Sequence, residues 1–237
     1  SSGIGAAVAR QLVLEGAAVA LVARRDQELA SVVASLPEER RAAARVYVHD
    51  VTDFDATPAL FERIDHDLGG LDLLVYAAGA MSQLDEGEYD FDADRRMVDV
   101  NLVGAMAWMN LAAARFEAAR AGTIVGVSSI AGVRGRRKNP AYCASKAALT
   151  TYLESLRNRL ARYGVTVVTA KPGFVDTAMT RGMKGLFWLV SAERAASITL
   201  DLARRTGGAD AFVPARWSLV AAAVAAIPSV VFRRLDI

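Results

Sequence analysis

Tyr142 and Lys146 stand four residues apart in Tyr-Cys-Ala-Ser-Lys, and Ser129 lies thirteen residues upstream in Val-Ser-Ser. Residues four apart share one face of a helix, so a phenol and an ammonium can address the same small volume. A free tyrosine titrates near pH ~10, and a neighbouring positive charge favours the phenolate and lowers that value. A phenol tuned this way is a usable general acid and base near neutral pH. The Tyr-x-x-x-Lys spacing alone is unspecific. Joined by Ser129, by Asn101 and by glycines at the amino terminus, it becomes a strong signal. Ser128 competes with Ser129 for the serine position. His49 and His66 read as strand-end and surface residues rather than catalysts, and Cys143 reads as a small buried thiol. No metal site is expected.

Short β-rich runs alternate with longer helical patterns, which argues for stacked βαβ units on a parallel sheet. Strands are expected near 18–23, 45–49, 71–76, 122–128, 165–170 and 210–213. Several are apolar on both faces, as in a sheet covered on both sides. Helices are expected near 4–15, 27–35, 56–67, 94–119, 140–162, 192–205 and 217–234. No repeat, low-complexity tract or linker divides the chain, so residues 1–237 read as one domain ending in an amphipathic tail, 216–237.

These elements hold a set of ordered motifs: Ser1-Ser2-Gly3-Ile4-Gly5, Asp50-Val51, Ala77-Ala78-Gly79, Asn101, Ser129, Tyr142-x3-Lys146 and Pro172-Gly173-x-Val175-x-Thr177. At these residues the chain resembles the short-chain dehydrogenase/reductase superfamily, almost end to end. The resemblance implies a single-domain, Rossmann-like, doubly wound parallel sheet of about seven strands. It also places one strand and the first glycine of the turn upstream of Ser1, because a parallel sheet without that strand leaves two edges unpaired.

Glycines at a strand-to-helix turn let a pyrophosphate approach the backbone at the positive end of a helix. The resemblance makes Ser2, Gly3, Ile4 and Gly5 that cradle for a nicotinamide dinucleotide. Asp50 and Val51 would border the adenine, and Ala78 and Gly79 would pass beneath the cofactor. Pro172, Gly173, Val175 and Thr177 would hold the nicotinamide carboxamide. The next strand ends Ala23-Arg24-Arg25, with alanine where an NAD-specific enzyme carries an acid. A 2′-phosphate needs cations there, so Arg24 and Arg25 favour NADP(H) over NAD(H). Asp26, a candidate helix cap, works against that preference. The chain departs from the superfamily at Tyr76-Ala77, where two asparagines are usual.

The implied reaction moves a hydride between nicotinamide and a carbonyl or alcohol carbon. Ser129 would bind the carbonyl oxygen and Tyr142 would transfer the proton. Lys146 would lower the Tyr142 pKa and bind the nicotinamide ribose. Asn101 would anchor a water leading from Lys146 to solvent, or cap or kink the helix at 94–119. An NAD-dependent alcohol dehydrogenase and a non-catalytic dinucleotide sensor stay open as other readings. Members of the superfamily are commonly homodimers or homotetramers.

Between Ser129 and Tyr142 runs Arg134-Gly135-Arg136-Arg137-Lys138. Those cations read either as a solvated loop or oligomer contact, or as recognition of a substrate phosphate. Residues 179–190 read as a substrate lid carrying Met179, Met183, Leu186, Phe187 and Trp188, suited to a bulky apolar substrate. The tail places an apolar stretch between Arg216 and Arg233-Arg234, broken by Pro228, which is compatible with a peripheral membrane contact, a subunit contact or packing over the cleft. This tail and the cationic loop are similar to those of the reductases of decaprenylphosphoryl-ribose epimerisation, which reduce a 2-keto sugar on a lipid phosphate.

The 237 residues are 53% hydrophobic, which excludes disorder as the main state. A net charge of +2 without a long basic stripe excludes nucleic acid as the expected partner. The single cysteine forms no intrachain disulfide and suits a reducing, cytoplasmic compartment. No uninterrupted apolar run reaches the ~20 residues of a membrane span.

Overall fold

The computed structural model describes residues 1–82, 87–205 and 207–235. The tail is therefore described as far as Leu235; its last two positions lie outside the described residues. Six strands fall where the sequence places them: β1 (Val19–Ala23), β2 (Ala44–Val48), β3 (Leu73–Tyr76), β4 (Thr123–Val127), β5 (Thr166–Pro172) and, after the two-residue β6 (Val175–Asp176) and β7 (Val190–Ser191), β8 (Ala209–Val213). Between them run α1 (Gly3–Leu14), α2 (Asp26–Ala34), α3 (Thr57–Leu68), α4 (Phe91–Val98), α5 (Gly104–Ala119), α6 (Pro140–Leu160), α7 (Ala192–Ala203), α8 (Trp217–Ala226) and the short α9 (Ser229–Phe232).

All strand pairs are parallel. The order β3-β4-β5-β8 forms one sheet, and β1-β2 a second. Side chains alternate across the larger sheet, as strand geometry requires. Ile124 and Val167 join the core under α3, α5 and α6, whereas Val125, Val168 and Ala170 join the core under α1 and α7. Both faces are thus covered, which explains the continuous apolar runs.

Parallel register brings the carboxyl ends of β3, β4 and β5 to one edge: Tyr76 pairs with Gly126, and Gly126 with Thr169. The segments leaving those ends carry Ala77–Gly79, Ser128–Ser129 and Pro172–Thr177. In open α/β sheets this edge is where ligands bind. Arg157 clamps α6 to the sheet, donating to the carbonyls of Val167 (2.8 Å) and Ala209 (3.0 Å) and to the Thr169 hydroxyl (2.8 Å).

The segment Phe91–Ala119 is long and apolar enough to cross a membrane by length and composition, and half of its apolar window is buried inside the protein. The helix expected over 94–119 is interrupted by a π-helical turn at Asp99–Val103, with Asn101 at its centre. The kink expected at Asn101 thus has a specific form, since π turns bulge the helix and redirect side chains. Tyr76 adapts to this turn. Its phenol donates to the Val100 carbonyl at 2.6 Å, occupying space that the absence of a Cβ at Gly104 leaves open.

The 3-10 turn Ile130–Val133 is seated directly on α6. A Cβ at Gly132 would lie 2.8 Å from the Ala147 nitrogen and 2.8 Å from the Lys146 carbonyl carbon, both backbone atoms that cannot swing away. Gly132→Ala is therefore expected to destabilise the protein by about 1–3 kcal/mol through overpacking and to displace Ser129 from α6. Urea denaturation of the variant checks this, and an unchanged midpoint would contradict the close seating.

Candidate active site

Ser129, Tyr142 and Lys146 line one cleft of about 360 Å³ at the carboxyl edge of the sheet. Its wall also includes Ser2, Gly3, Ile4, Gly79, Pro172, Gly173, Val175 and Thr177. Asn101, Gly5 and Ala78 stand outside the lining, and Arg24, Arg25, Asp50 and Val51 follow the ends of β1 and β2.

Structure decides between the two serines. Ser128 is buried, and its hydroxyl is engaged by the Lys146 carbonyl (2.9 Å) and the Thr150 hydroxyl (2.8 Å). Ser129 caps the following 3-10 turn, accepting from the Ala131 nitrogen at 3.1 Å, and hydrogen-bonds Tyr142. Ser129, not Ser128, joins the Tyr142 phenol.

Lys146 is 4% exposed and donates from Nζ to the Val127 carbonyl at 2.9 Å. Burial penalises its charge and pulls its pKa down to about 8. Nζ lies 5.9 Å from the centroid of the Tyr142 ring, and the Tyr142 pKa is raised. Burial is the largest cause, opposed by the Ser129 hydrogen bond and the Arg136 charge, with Cys143 adding a smaller upward push.

Asn101 is fully buried. Its Oδ1 accepts from the Ala80 nitrogen (2.7 Å), while Nδ2 donates to the Ala80 carbonyl (2.9 Å) and the Ser145 hydroxyl (3.0 Å). It ties the exit of β3 to α6. Gly79 adjoins both groups: a Cβ there would make ordinary contacts, at 3.6 Å, with Asn101 Oδ1 and Lys146 Nζ.

The amino terminus of α1 fits an anionic ligand. Ser2 occupies the cap position without a side-chain cap bond, so the first-turn amides lack the usual partner. Its hydroxyl accepts instead from Arg25, as does that of Ser1, at 3.1 and 3.0 Å. Gly3 has φ +53°, and a Cβ there would lie 3.0 Å from Thr177 Cγ2. The glycine turn and the Pro172–Thr177 segment therefore meet. Arg25 also pairs with Glu28 at 2.6 Å, so it is not the freely solvated side chain that a helix-start position suggests. Asp26 is the first residue of α2 rather than its cap, and that helix has no side-chain cap bond. Arg24 is 61% exposed beside Asp50, 3.5 Å away. Burial raises the Asp50 pKa, but hydrogen bonds from Thr52 and the Arg24 charge outweigh it and hold the carboxyl below its ordinary value.

The lid and the loop divide their side chains. Met179 and Met183 face the cleft, but Phe187 and Trp188 pack on the tail. Phe174, which sequence reasoning passed over, bridges the two: it lines the cleft and stacks edge-on to both Phe187 and Trp217. Met81 and Asn139 were likewise missed, because their approach to the cleft depends on loop geometry. Arg134 donates to the carbonyls of Val224 (2.8 Å) and Ile227 and covers the Phe232 ring, while Arg137 donates to the Arg233 carbonyl at 3.2 Å. Arg136 and Lys138 line the cleft instead.

A family model described as short chain dehydrogenase matches residues 1–184. An uncharacterised oxidoreductase of Staphylococcus saprophyticus is 33% identical over 180 residues, covering 76% of this chain and 77% of that protein. Another, from Myxococcus xanthus, is 36% identical over 184 residues, 76% and 71% of the two chains. Among solved structures, ElxO with NADP bound superposes with a TM-score of 0.79 at 22% identity, covering 90% of this chain and 93% of its own. A short chain dehydrogenase/reductase family protein reaches 0.78 at 26%, covering 90% and 91%.

Lys146 yields a prediction with a definite sign. Its folded pKa of about 8 lies below the unfolded value of ~10.4, so between these limits the unfolded chain binds more protons and stability rises with pH. Without added dinucleotide, the wild type is expected to gain stability relative to Lys146→Met as pH rises through this window, by on the order of 3 kcal/mol across its full width. Urea titrations at several pH values measure the difference. A gap independent of pH would mean that Lys146 keeps an ordinary pKa.

Proposed function

This chain belongs to the short-chain dehydrogenase family, and from that premise we propose that it is an NADP(H)-dependent ketone or aldehyde reductase. The observation that carries the reading is the single cleft shared by Ser129, Tyr142, Lys146 and the uncapped start of α1. A bound dinucleotide supplies the hydride that reduces the carbonyl carbon to an alcohol, becoming oxidised itself. The first-turn amides at Gly3, Ile4 and Gly5 receive its pyrophosphate. Pro172–Thr177 holds its carboxamide, and Ala78–Gly79 and Asp50–Val51 flank the rest.

Ser129 donates to the substrate carbonyl oxygen, and Tyr142 gives that oxygen its proton. A raised phenol pKa keeps Tyr142 protonated near neutral pH, which suits an acid. Lys146, with a pKa of about 8, returns a proton to it. Asn101 acts as a positioning residue and has one oxygen lone pair left to hold a water on that route.

The preference for NADP(H) is supported by exposed Arg24 at the end of β1 and by Arg25 over the glycine turn. ElxO structures with NADP and with NADPH agree with it.

The tail supports a peripheral contact with an anionic membrane. Trp217, 2% exposed, and Ala221 pack on Ile130, which realises the cleft-packing alternative for one face of α8. The other face presents Leu219, 70% exposed, and α9 presents Val230 and Val231. Residues 134–138, 178–190 and 214–235 together hold nine of the 28 lysines and arginines and none of the 26 acids, with Asp176 and Asp236 just outside. Apolar side chains framed by cations fit anionic lipid headgroups.

Tyr142→Phe is expected to reduce carbonyl turnover at least about 10³-fold while NADPH affinity stays within a few-fold, because only the proton donor is lost. Substantial residual turnover would refute the mechanism. Arg24→Ala is expected to bring the NADPH and NADH dissociation constants together, whereas tighter NADH binding by the wild type would overturn the cofactor preference. Leu219→Glu/Val230→Glu/Val231→Glu should abolish sedimentation with phosphatidylglycerol vesicles. If the wild type does not sediment, or the variant sediments equally, the apolar face covers a subunit contact instead.

A further inference from the structure

The cationic loop supplies an element that hydride transfer itself does not require. Its side chains alternate in destination. Arg134 and Arg137 donate to carbonyls of the tail, at Val224, Ile227 and Arg233. Arg136 and Lys138, interleaved with them, line the cleft and make no ion pair or hydrogen bond among the described residues. Two cations at the edge of a concave site without a carboxylate partner leave their charge available to an anionic ligand.

Asn139 completes the arrangement. It lines the same cleft in the left-handed conformation, φ 57°, with its side-chain Oδ1 buried and without a hydrogen-bond partner. Such a carboxamide can receive a hydroxyl or amide of a bound molecule. The position belongs to the substrate rather than to the dinucleotide pyrophosphate, because Arg136 acts electrostatically on Tyr142 and the three residues immediately precede α6. Across the cleft, Met179, Met183 and Phe174 offer an apolar wall.

We propose that Arg136 and Lys138 form an anion-binding subsite that selects carbonyl substrates bearing a carboxylate or phosphate, with Asn139 accepting a hydrogen bond from a neighbouring polar group. The subsite rests on the reductase reading for the identity of the reacting group, but not for its charge recognition. Anion binding here orients the substrate so that its carbonyl reaches Ser129 and Tyr142, and Arg134 and Arg137 hold the loop in place from the far side.

The experiment uses an isosteric pair, 4-acetylbenzoate and 4-acetylbenzamide, titrated calorimetrically into Tyr142→Phe with NADPH present, where no turnover intervenes. The benzoate is expected to bind about ten-fold more tightly, and Arg136→Gln/Lys138→Gln in the same background should bring the ratio near one. Raising salt from about 50 to about 500 mM should weaken the benzoate selectively. Inorganic phosphate should compete with the benzoate. Equal binding of the pair, no binding of the benzoate, or a ratio unchanged in the double variant overturns the subsite. A loss of NADPH affinity in that variant with the ratio intact would overturn it too, by assigning the cations to the dinucleotide. Wild-type turnover separates the two readings. Reduction of both ketones without preference refutes the subsite alone. Charge-selective binding without reduction of either refutes the reductase reading alone.

Discussion

The reciprocal grip between the end of β4 and Lys146 sets the geometry of the whole site. Lys146 donates from its side chain to the Val127 carbonyl, and its own carbonyl accepts from Ser128. Gly132 then rests on the same stretch of backbone. Three contacts between one strand exit and one helical turn leave Ser129 little freedom relative to Tyr142. Side-chain length, hydroxyl placement and the missing Cβ all serve that one juxtaposition. Asn101 extends the clasp to the exit of β3 through Ala80 and Ser145, so three chain segments are locked at the sheet edge.

Burying a lysine here has a cost that the fold tolerates. Without a carboxylate beside it, the ammonium relies on a carbonyl, and its pKa falls toward the working pH. The phenol moves the other way. Desolvation outweighs the favourable influences of Ser129 and Arg136, which keeps the proton on Tyr142. Opposite shifts on neighbouring groups make the Lys146 ammonium the stronger acid and the Tyr142 phenol the weaker one.

The tail, lid and cationic loop form a second connected unit around the cleft mouth. Trp217 fills the space above Gly173, where a Cβ would fall 1.9 Å from its ring. Phe174, Phe187 and Trp188 gather around that indole, and Arg216 stacks over Trp188 while donating to its carbonyl. The segment 179–190, the tail and the cleft wall thus share one cluster of aromatic contacts.

The sequence alone determined the alternation of strands and helices and the parallel α/β class, and it picked out Ser129, Tyr142 and Lys146 as the residues that the structure brings to one cleft. Periodicity and local spacing carry that information, and helical spacing places Tyr142 and Lys146 together in any setting. Ser129 was assigned over Ser128 by resemblance alone, and what separates the two hydroxyls physically is the set of partners that α6 offers each. The sequence could not show that Lys146 binds a strand carbonyl, because burial and distance are properties of packing. The π turn at Asn101, the meeting of Gly3 with Thr177 and the alternate aim of four neighbouring cations were likewise decided by tertiary structure. Each depends on a partner far away along the chain, and short-range spacing holds no record of where such a partner will stand.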